Sequence, residues 1–301
     1  MKLSTVVMGV GVGAFALVGC GGDGAGSLPE PTAKITEANA TDVAEMAEIF
    51  TVTEPGNIIY NSSTSERLGK SISELGWYYH IPMEQGTFEG AEGTLEISFS
   101  KGKPISEGTE KADVSYTLKY NHFRSFTTDP VMQDGTVKID QKFEETDAAE
   151  TSEWHVTSSE FTYSGDNAKL TFTNFDKTGN WKETDEAEEK KVEVKYSATW
   201  EDHNKTYTFQ NMDVKTESYE SDVKETDTYE GRGAIDHPDY GGWLVFETTK
   251  KFVYEYSETT GDEKCTQGEM EIRGKEHTVT ISCINGEEVV KFDGKEVAST
   301  E

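Results

Sequence analysis

For most of its length this chain alternates apolar and polar residues one by one, and that period of two commits it to β structure. Successive side chains on a strand point to opposite faces, so such a run builds a sheet with one dry and one wet face. Val192, Val194, Tyr196, Ala198 and Trp200 alternate with Glu193, Lys195, Ser197 and Thr199. Val114, Tyr116, Leu118 and Tyr120 alternate with Ser115, Thr117 and Lys119, and Leu95, Ile97 and Phe99 with Glu96 and Ser98. Leu170 and Phe172 follow the same rule, as do Val279, Ile281 and Cys283 near the end. The pattern begins at about residue 75 and implies roughly a dozen strands.

Turn signals punctuate the runs: Asp134-Gly135, Ser164-Gly165-Asp166-Asn167, Thr178-Gly179-Asn180, Gly241-Gly242, Asn285-Gly286 and Asp293-Gly294. Several are hairpin dipeptides. Parallel strands need long crossovers, usually helical, and the chain has almost no helical pattern to supply them. The expectation is an all-β fold, a large antiparallel meander curled into a barrel, a half-barrel or a two-layer stack. A single amphipathic helix is predicted at about 41–50, where Val43, Met46, Ala47 and Phe50 recur at helical spacing. Asn39 or Thr41 would cap it.

The hairpins repeat loosely. Tyr-Thr-Phe-Gln-Asn-Met at 207–212 echoes Leu-Thr-Phe-Thr-Asn-Phe at 170–175. A membrane-spanning barrel is a poor match. Charges such as Glu193 and Lys195 would interrupt its lipid-facing band, and the mean hydropathy is −0.66.

The first twenty residues carry an address. Lys2 is a positive n-region, and Val6 to Leu17 form an apolar run too short to span a bilayer as a helix. Leu17-Val18-Gly19-Cys20 follows and resembles the lipobox of bacterial lipoproteins. The resemblance implies removal of a signal peptide, 1–19, and attachment of diacylglycerol to Cys20. Residues 20–30 would then be a flexible Gly-rich tether and 31–301 the β-rich domain with its helix. Gly21, standing where Asp would signal inner-membrane retention in enteric-type sorting, points to the outer membrane, with the body facing the periplasm or the cell surface.

The formal net charge is −29, and the acids are interspersed with Thr, Tyr and Lys as on a solvated sheet face. Such a surface repels phosphate backbones, so nucleic acid is not an expected partner; the membrane, reached through Cys20, is. With Cys20 assigned to lipid, Cys265 and Cys283 remain. They flank a hairpin, Gly268 to Arg273 and His277 to Ile284, turning at Gly274-Lys275, which would set them nearly opposite each other. In an oxidising compartment a disulfide is expected, worth about 3 kcal/mol for a loop of this size. A metal pair would need partners the sequence does not offer at ligand spacing.

No catalytic motif stands out. The histidines at 80, 122, 155, 203, 237 and 277 show no HxH or HExxH spacing, and no GxSxG elbow exists. Asp134, Asp166 and Asp176 sit in what read as acidic turns, but without the ligand spacing of a calcium loop. No metal site and no cofactor are expected. Two segments, around Asn39 and Asn204, resemble the extended acidic sequon of bacterial N-glycosylation, which would make both asparagines acceptors.

Three segments of the body, 35–40, 231–242 and 268–274, are similar to β-rich lipoproteins of Gram-negative bacteria that are functionally uncharacterised. The likeness implies the address and the fold and no activity. The expected role is a non-enzymatic interaction or structural module in the envelope. The first alternative is a periplasmic carrier of an apolar molecule, with Trp77, Tyr116, Tyr196, Trp200 and Trp243 lining a cavity; the second is an envelope hydrolase.

Overall fold

Among the described residues, fourteen strands follow one another into a single antiparallel sheet in which spatial order equals chain order. The computed structural model describes residues 27–52, 84–104, 109–124, 131–165, 168–257 and 262–297. The strands are β1 Gly86–Glu89, β2 Glu92–Lys101, β3 Lys111–Arg124, β4 Met132–Glu145, β5 Glu150–Ser164, β6 Ala168–Glu183 and β7 Ala187–Asp202. They continue as β8 Lys205–Ser221, β9 Lys224–His237, β10 Gly242–Ser257, β11 Asp262–Arg273, β12 Thr278–Ile284, β13 Glu287–Phe292 and β14 Lys295–Glu296. Among the described residues no pairing joins β1 to β14. The sheet is open, neither a closed barrel nor two stacked sheets.

The helix, α1, spans Ala40–Val52 and follows a 3-10 turn over Glu37–Asn39. Asn39 Oδ1 accepts the Thr36 N–H at 2.7 Å, so Asn39 is a helix-entry residue by contact as well as by position. Val43 and Ala47 are buried as expected, and so are Ala40 and Ala44. Met46 packs against the core; the side chain of Phe50 lies outside the described residues, as do Trp77 and His80.

One face of the sheet is apolar from β3 to β12. Tyr163 pairs with Leu170, Leu170 with Trp200, Trp200 with Tyr207, Phe209 with Ile235, Ile235 with Leu244 and Ile272 with Val279. Most of these residues, with Ile139, Val156, Val194 and the buried Ala40, Val43, Ala44 and Ala47 of α1, form one core cluster, against which Trp200 and Tyr207 pack. The helix packs against β8, β9, β11, β12 and β13, one flank of that face.

Two of the expected turns are not turns. Asp134-Gly135 lies inside β4 and Thr178-Gly179-Asn180 inside β6. Both glycines serve as landing places for neighbouring rings. Gly135 is paired with Tyr120 on one side and Phe161 on the other, and the missing side chain lets those rings meet edge to face at 5.2 Å across β4. Trp154 lies over Gly179, where a Cβ would collide with its indole. The readings of Asn285-Gly286 and Asp293-Gly294 hold. Both are two-residue turns with positive φ at each position, and His203-Asn204 makes a third, unforeseen.

The echo between 170–175 and 207–212 is a structural device. Asn174 and Asn211 have φ of 54° and 52°, and each sits where the ladder skips, between Thr173 and Asp176 and between Gln210 and Asp213. His122, at φ 48°, does the same in β3. In all three the order is aromatic, polar, left-handed residue, apolar: Phe172 to Phe175, Phe209 to Met212, Tyr120 to Phe123. An extra residue in a strand reverses its parity, so these bulges return the apolar side chains to the same face beyond the kink. Further register shifts in β4–β5, β7–β8, β9–β10 and β10–β11 fall at the same level, forming a crease across the sheet.

The segment before the helix is strapped to one end of the sheet. Ser27 C=O accepts a hydrogen bond from Asn211 Nδ2 at 3.1 Å, and Thr32 exchanges bonds with Trp243. Lys34 N–H donates to Tyr240 C=O and Lys275 N–H to Ala33 C=O. Gly242 and Gly274 make the close passage possible, because a Cβ there would strike Thr32 in one case and Ala33 and Ile35 in the other.

Candidate functional site

Cys265 and Cys283 form a disulfide with Cα atoms 5.5 Å apart. Their relation to the ladder differs from the expectation. The β11–β12 register pairs Glu269 with Ser282, and Cys265 bridges backbone to backbone with Gly286. The bond therefore runs diagonally, not between directly opposed residues, and ties β11 to the tip of the β12–β13 hairpin. The strands are also longer and shorter than read, β11 starting at Asp262 and β12 at Thr278.

The remaining predicted residues are scattered. Cys20 lies outside the described residues. Asn204 is exposed in the β7–β8 turn at φ 72°, a geometry that favours Asn for backbone reasons alone. Asn39 uses both ends of its amide, since its Nδ2 also donates to Lys34 C=O at 3.3 Å. Asp134 and Asp176 are strand residues, not turn residues, and face His122 at 3.1 Å and His155 at 3.2 Å. Asp166 lies outside the described residues. Among the described residues no group of three or more His, Cys, Asp or Glu converges as a metal site would require. No described helix is long and apolar enough to cross a membrane.

The wet face of the sheet is a checkerboard of charge. At the crease, His155 contacts Asp176, Asp176 pairs with Lys195, Lys195 with Asp213, Asp213 with Arg232 and Arg232 with Glu247, which reaches Arg273 at 3.9 Å. Opposite charges on directly facing cross-strand residues stabilise one register and penalise its neighbours. Burial pushes the Asp213 carboxyl above its ordinary value despite Lys195 beside it, and one of its oxygens has no hydrogen-bond partner.

Beside this row is an open depression of about 390 Å³, lined by Glu153, Asn180, Lys191, Glu193, Lys215 and Glu217. Its carboxylates are engaged: Glu153 by Lys142 at 3.1 Å, Glu193 by Lys195 at 2.8 Å and Glu217 by Lys251 at 3.0 Å. The Lys251 ammonium holds the Glu217 carboxyl below its usual range. A general acid requires the opposite, a carboxyl raised toward neutrality.

The two ends of the sheet differ. At the strapped end, four rings stack in series: Trp200 on Tyr207 at 4.6 Å, Tyr207 edge-on to His237 at 5.0 Å, His237 on Tyr240 at 4.3 Å. Burial between these rings lowers the pKa of His237, and its Nδ1 accepts the Asp239 N–H at 3.2 Å. The ring is thus a neutral imidazole with its hydrogen on Nε2. Lys205 reaches Asp239 at 2.7 Å beside it.

At the opposite end, the hairpins at 144–150, 183–189 and 220–225 carry twelve acids and one lysine, whereas those at 202–205, 236–240 and 273–277 carry four acids and three bases. The acidic rim also shows apolar side chains. Val223 is 82% exposed at the tip of the β8–β9 hairpin, flanked by Tyr219 and Tyr256.

On the dry face, Tyr116 and Tyr196 are buried and Trp200 is half-buried, whereas Trp243, next to core-facing Leu244 and paired with Asp236, lies on the opposite face and cannot line the same cavity. The Tyr196 hydroxyl and Trp200 Nε1, four residues apart on the dry face of β7 with Ala198 between them, are buried without a hydrogen-bond partner among the described residues. Comparison with known protein families, with curated proteins and with solved structures finds no match.

Proposed function

We propose that the chain is an outer-membrane lipoprotein, anchored through Cys20, whose sheet works as a non-enzymatic interaction module of the cell envelope. The observation that carries this reading is the composition of the acidic rim. Acids and bases alternate along the wet face, but the rim hairpins carry twelve acids against one lysine and turn an apolar tip, Val223, to the solvent. Exposed apolar side chains ringed by charge are what partner surfaces present. Two experiments test it. Mass spectrometry of the mature N-terminal peptide should find diacylglycerol on Cys20, and an unmodified thiol sinks the anchor. A photo-crosslinking side chain placed at Val223 should capture a defined partner in intact cells, one that the same group at Asn204 does not; equal or absent capture at both sites sinks the module. Protease shaving of intact cells, with a periplasmic marker as control, then assigns the leaflet.

A second reading, carriage of an apolar ligand, draws support from the unpaired Tyr196 hydroxyl and Trp200 Nε1. Buried polar groups without partners are costly, and a ligand presenting an acceptor to either group would satisfy that group. A stoichiometric apolar dye whose binding weakens in Tyr196→Phe supports carriage; absence of binding removes it.

A further inference from the structure

We propose that the hairpin end bearing Trp200, Tyr207 and Tyr240 faces the phospholipid surface, and that the short tether keeps the acidic rim away from it. The proposal rests on the reading of Cys20 as the lipid anchor. It starts from where the tether joins the body. Ser27 is held against Asn211, at the crease of β8. From Cys20 to Ser27 a fully extended chain spans at most about 25 Å. From Asn211 down β8 to the hairpin at Asp222, the strand rises about 35 Å. A body standing on its acidic rim would hold its tether joint farther from the membrane than the tether can reach. Only the strapped end, or a flank, can rest on the lipid.

The chemistry of the two ends agrees with that geometry. Headgroup regions favour Trp and Tyr, with their apolar bodies and polar edges, and they favour lysine. The strapped end presents half-buried Trp200, Tyr207 and Tyr240, with exposed Lys34 and Lys275 on the strap and the neighbouring hairpin. The far end, with its twelve acids in three turns, is repelled by anionic headgroups. Lys34 N–H donates to the Tyr240 C=O at 2.8 Å and Thr32 engages both the N–H and C=O of Trp243, so the strap is bonded directly to this end of the sheet.

The test uses the full lipidated chain in vesicles of phosphatidylethanolamine and phosphatidylglycerol containing nitroxide-headgroup lipid. Its own cysteines are occupied by lipid and disulfide, so a single fluorophore can be placed at Glu276→Cys in the β11–β12 turn or at Glu186→Cys in the β6–β7 turn. Both positions are exposed. Headgroup quenching should be several-fold stronger at 276 than at 186, and a long Gly/Ser insertion after Gly22 should shrink the difference. Equal or reversed quenching in protein that floats with the vesicles overturns the orientation but leaves the anchor standing. Protein that does not float, with no lipid mass on Cys20, overturns both.

Discussion

The two flanks of this sheet are built from the same alternating strands, yet only one of them is a core. At the β8–β13 flank, α1 and the strap lay a second layer on the ladder, and Leu244, Ile235, Ile272, Val279 and Ile281 are completely buried. At the β1–β2 flank the pattern of apolar and polar residues is as clean, but no residue of either strand is buried. Alternation chooses which face will be dry. What packs over that face decides how far it becomes so, the helix and strap at one flank and the neighbouring strands' own side chains around Ile139, Val156 and Tyr163 in the middle, and burial, not pattern, is what stabilises.

The contrast can be tested by equal cuts on both flanks. Leu244→Ala should destabilise by about 2–5 kcal/mol, while Leu95→Ala in β2, half-exposed, should cost less than about 1 kcal/mol. Chemical denaturation read by tryptophan fluorescence measures both, and similar values would erase the distinction. Next in size, replacing Cys265 and Cys283 together with Ser should cost about 3 kcal/mol, since the closed loop lies wholly within the covered flank. Gly274→Ala should cost about 1–3 kcal/mol, because the added methyl meets the Ala33 carbonyl and Ile35 and must lift the strap. Proteolysis after Lys34 should accelerate in that variant and stay unchanged in Leu95→Ala.

The smallest effect concerns pH. Asp293 at the β13–β14 turn accepts the Thr278 N–H at 3.0 Å and faces His277 at 2.6 Å, and these two hold its carboxyl below the ordinary value, the amide more strongly. A carboxyl depressed in the folded state binds fewer protons there than in the unfolded chain. Its contribution is therefore complete above the unfolded pKa, near 4, and fades as pH falls through the lower, folded one. Asp293→Asn should flatten the acid limb of a stability–pH curve by a fraction of a kcal/mol and leave the neutral region almost level. Asp213 has the opposite sign: raised by burial, it costs stability when ionised, so Asp213→Asn should raise the midpoint at neutral pH and lose that gain in acid.

Much of the fold was legible because period two and meander topology are local properties. Strand identity at 192–200, the disulfide and the entry role of Asn39 all follow from short-range pattern. The misreadings share one cause. Asp134-Gly135 and Thr178-Gly179-Asn180 look like turns, but their glycines accommodate Tyr120, Phe161 and Trp154 from neighbouring strands, and no local rule contains those rings. The echo of 170–175 in 207–212 was visible as a repeat, and the aromatic–x–Asn–apolar order was the signal for a bulge. The charge ladder from His155 to Arg273 could not be read at all before the register was known, because its members are separated by roughly one hairpin each. The same holds for the acidic rim, whose turns become neighbours only once every second hairpin is placed at the same end.

The crease has a consequence for how the molecule comes apart. A plain ladder can slip by a pair of residues and recover, but a strand whose bulge is seated beside its neighbours' bulges cannot glide past them. Strands must leave whole, from an edge; among the described residues the edges are β1 and β14, and the β1–β2 edge, with no buried residue, is the more weakly held. Amide exchange should therefore march inward from Gly86 toward the bulged middle strands hairpin by hairpin, like a zip fastener opened from its looser end.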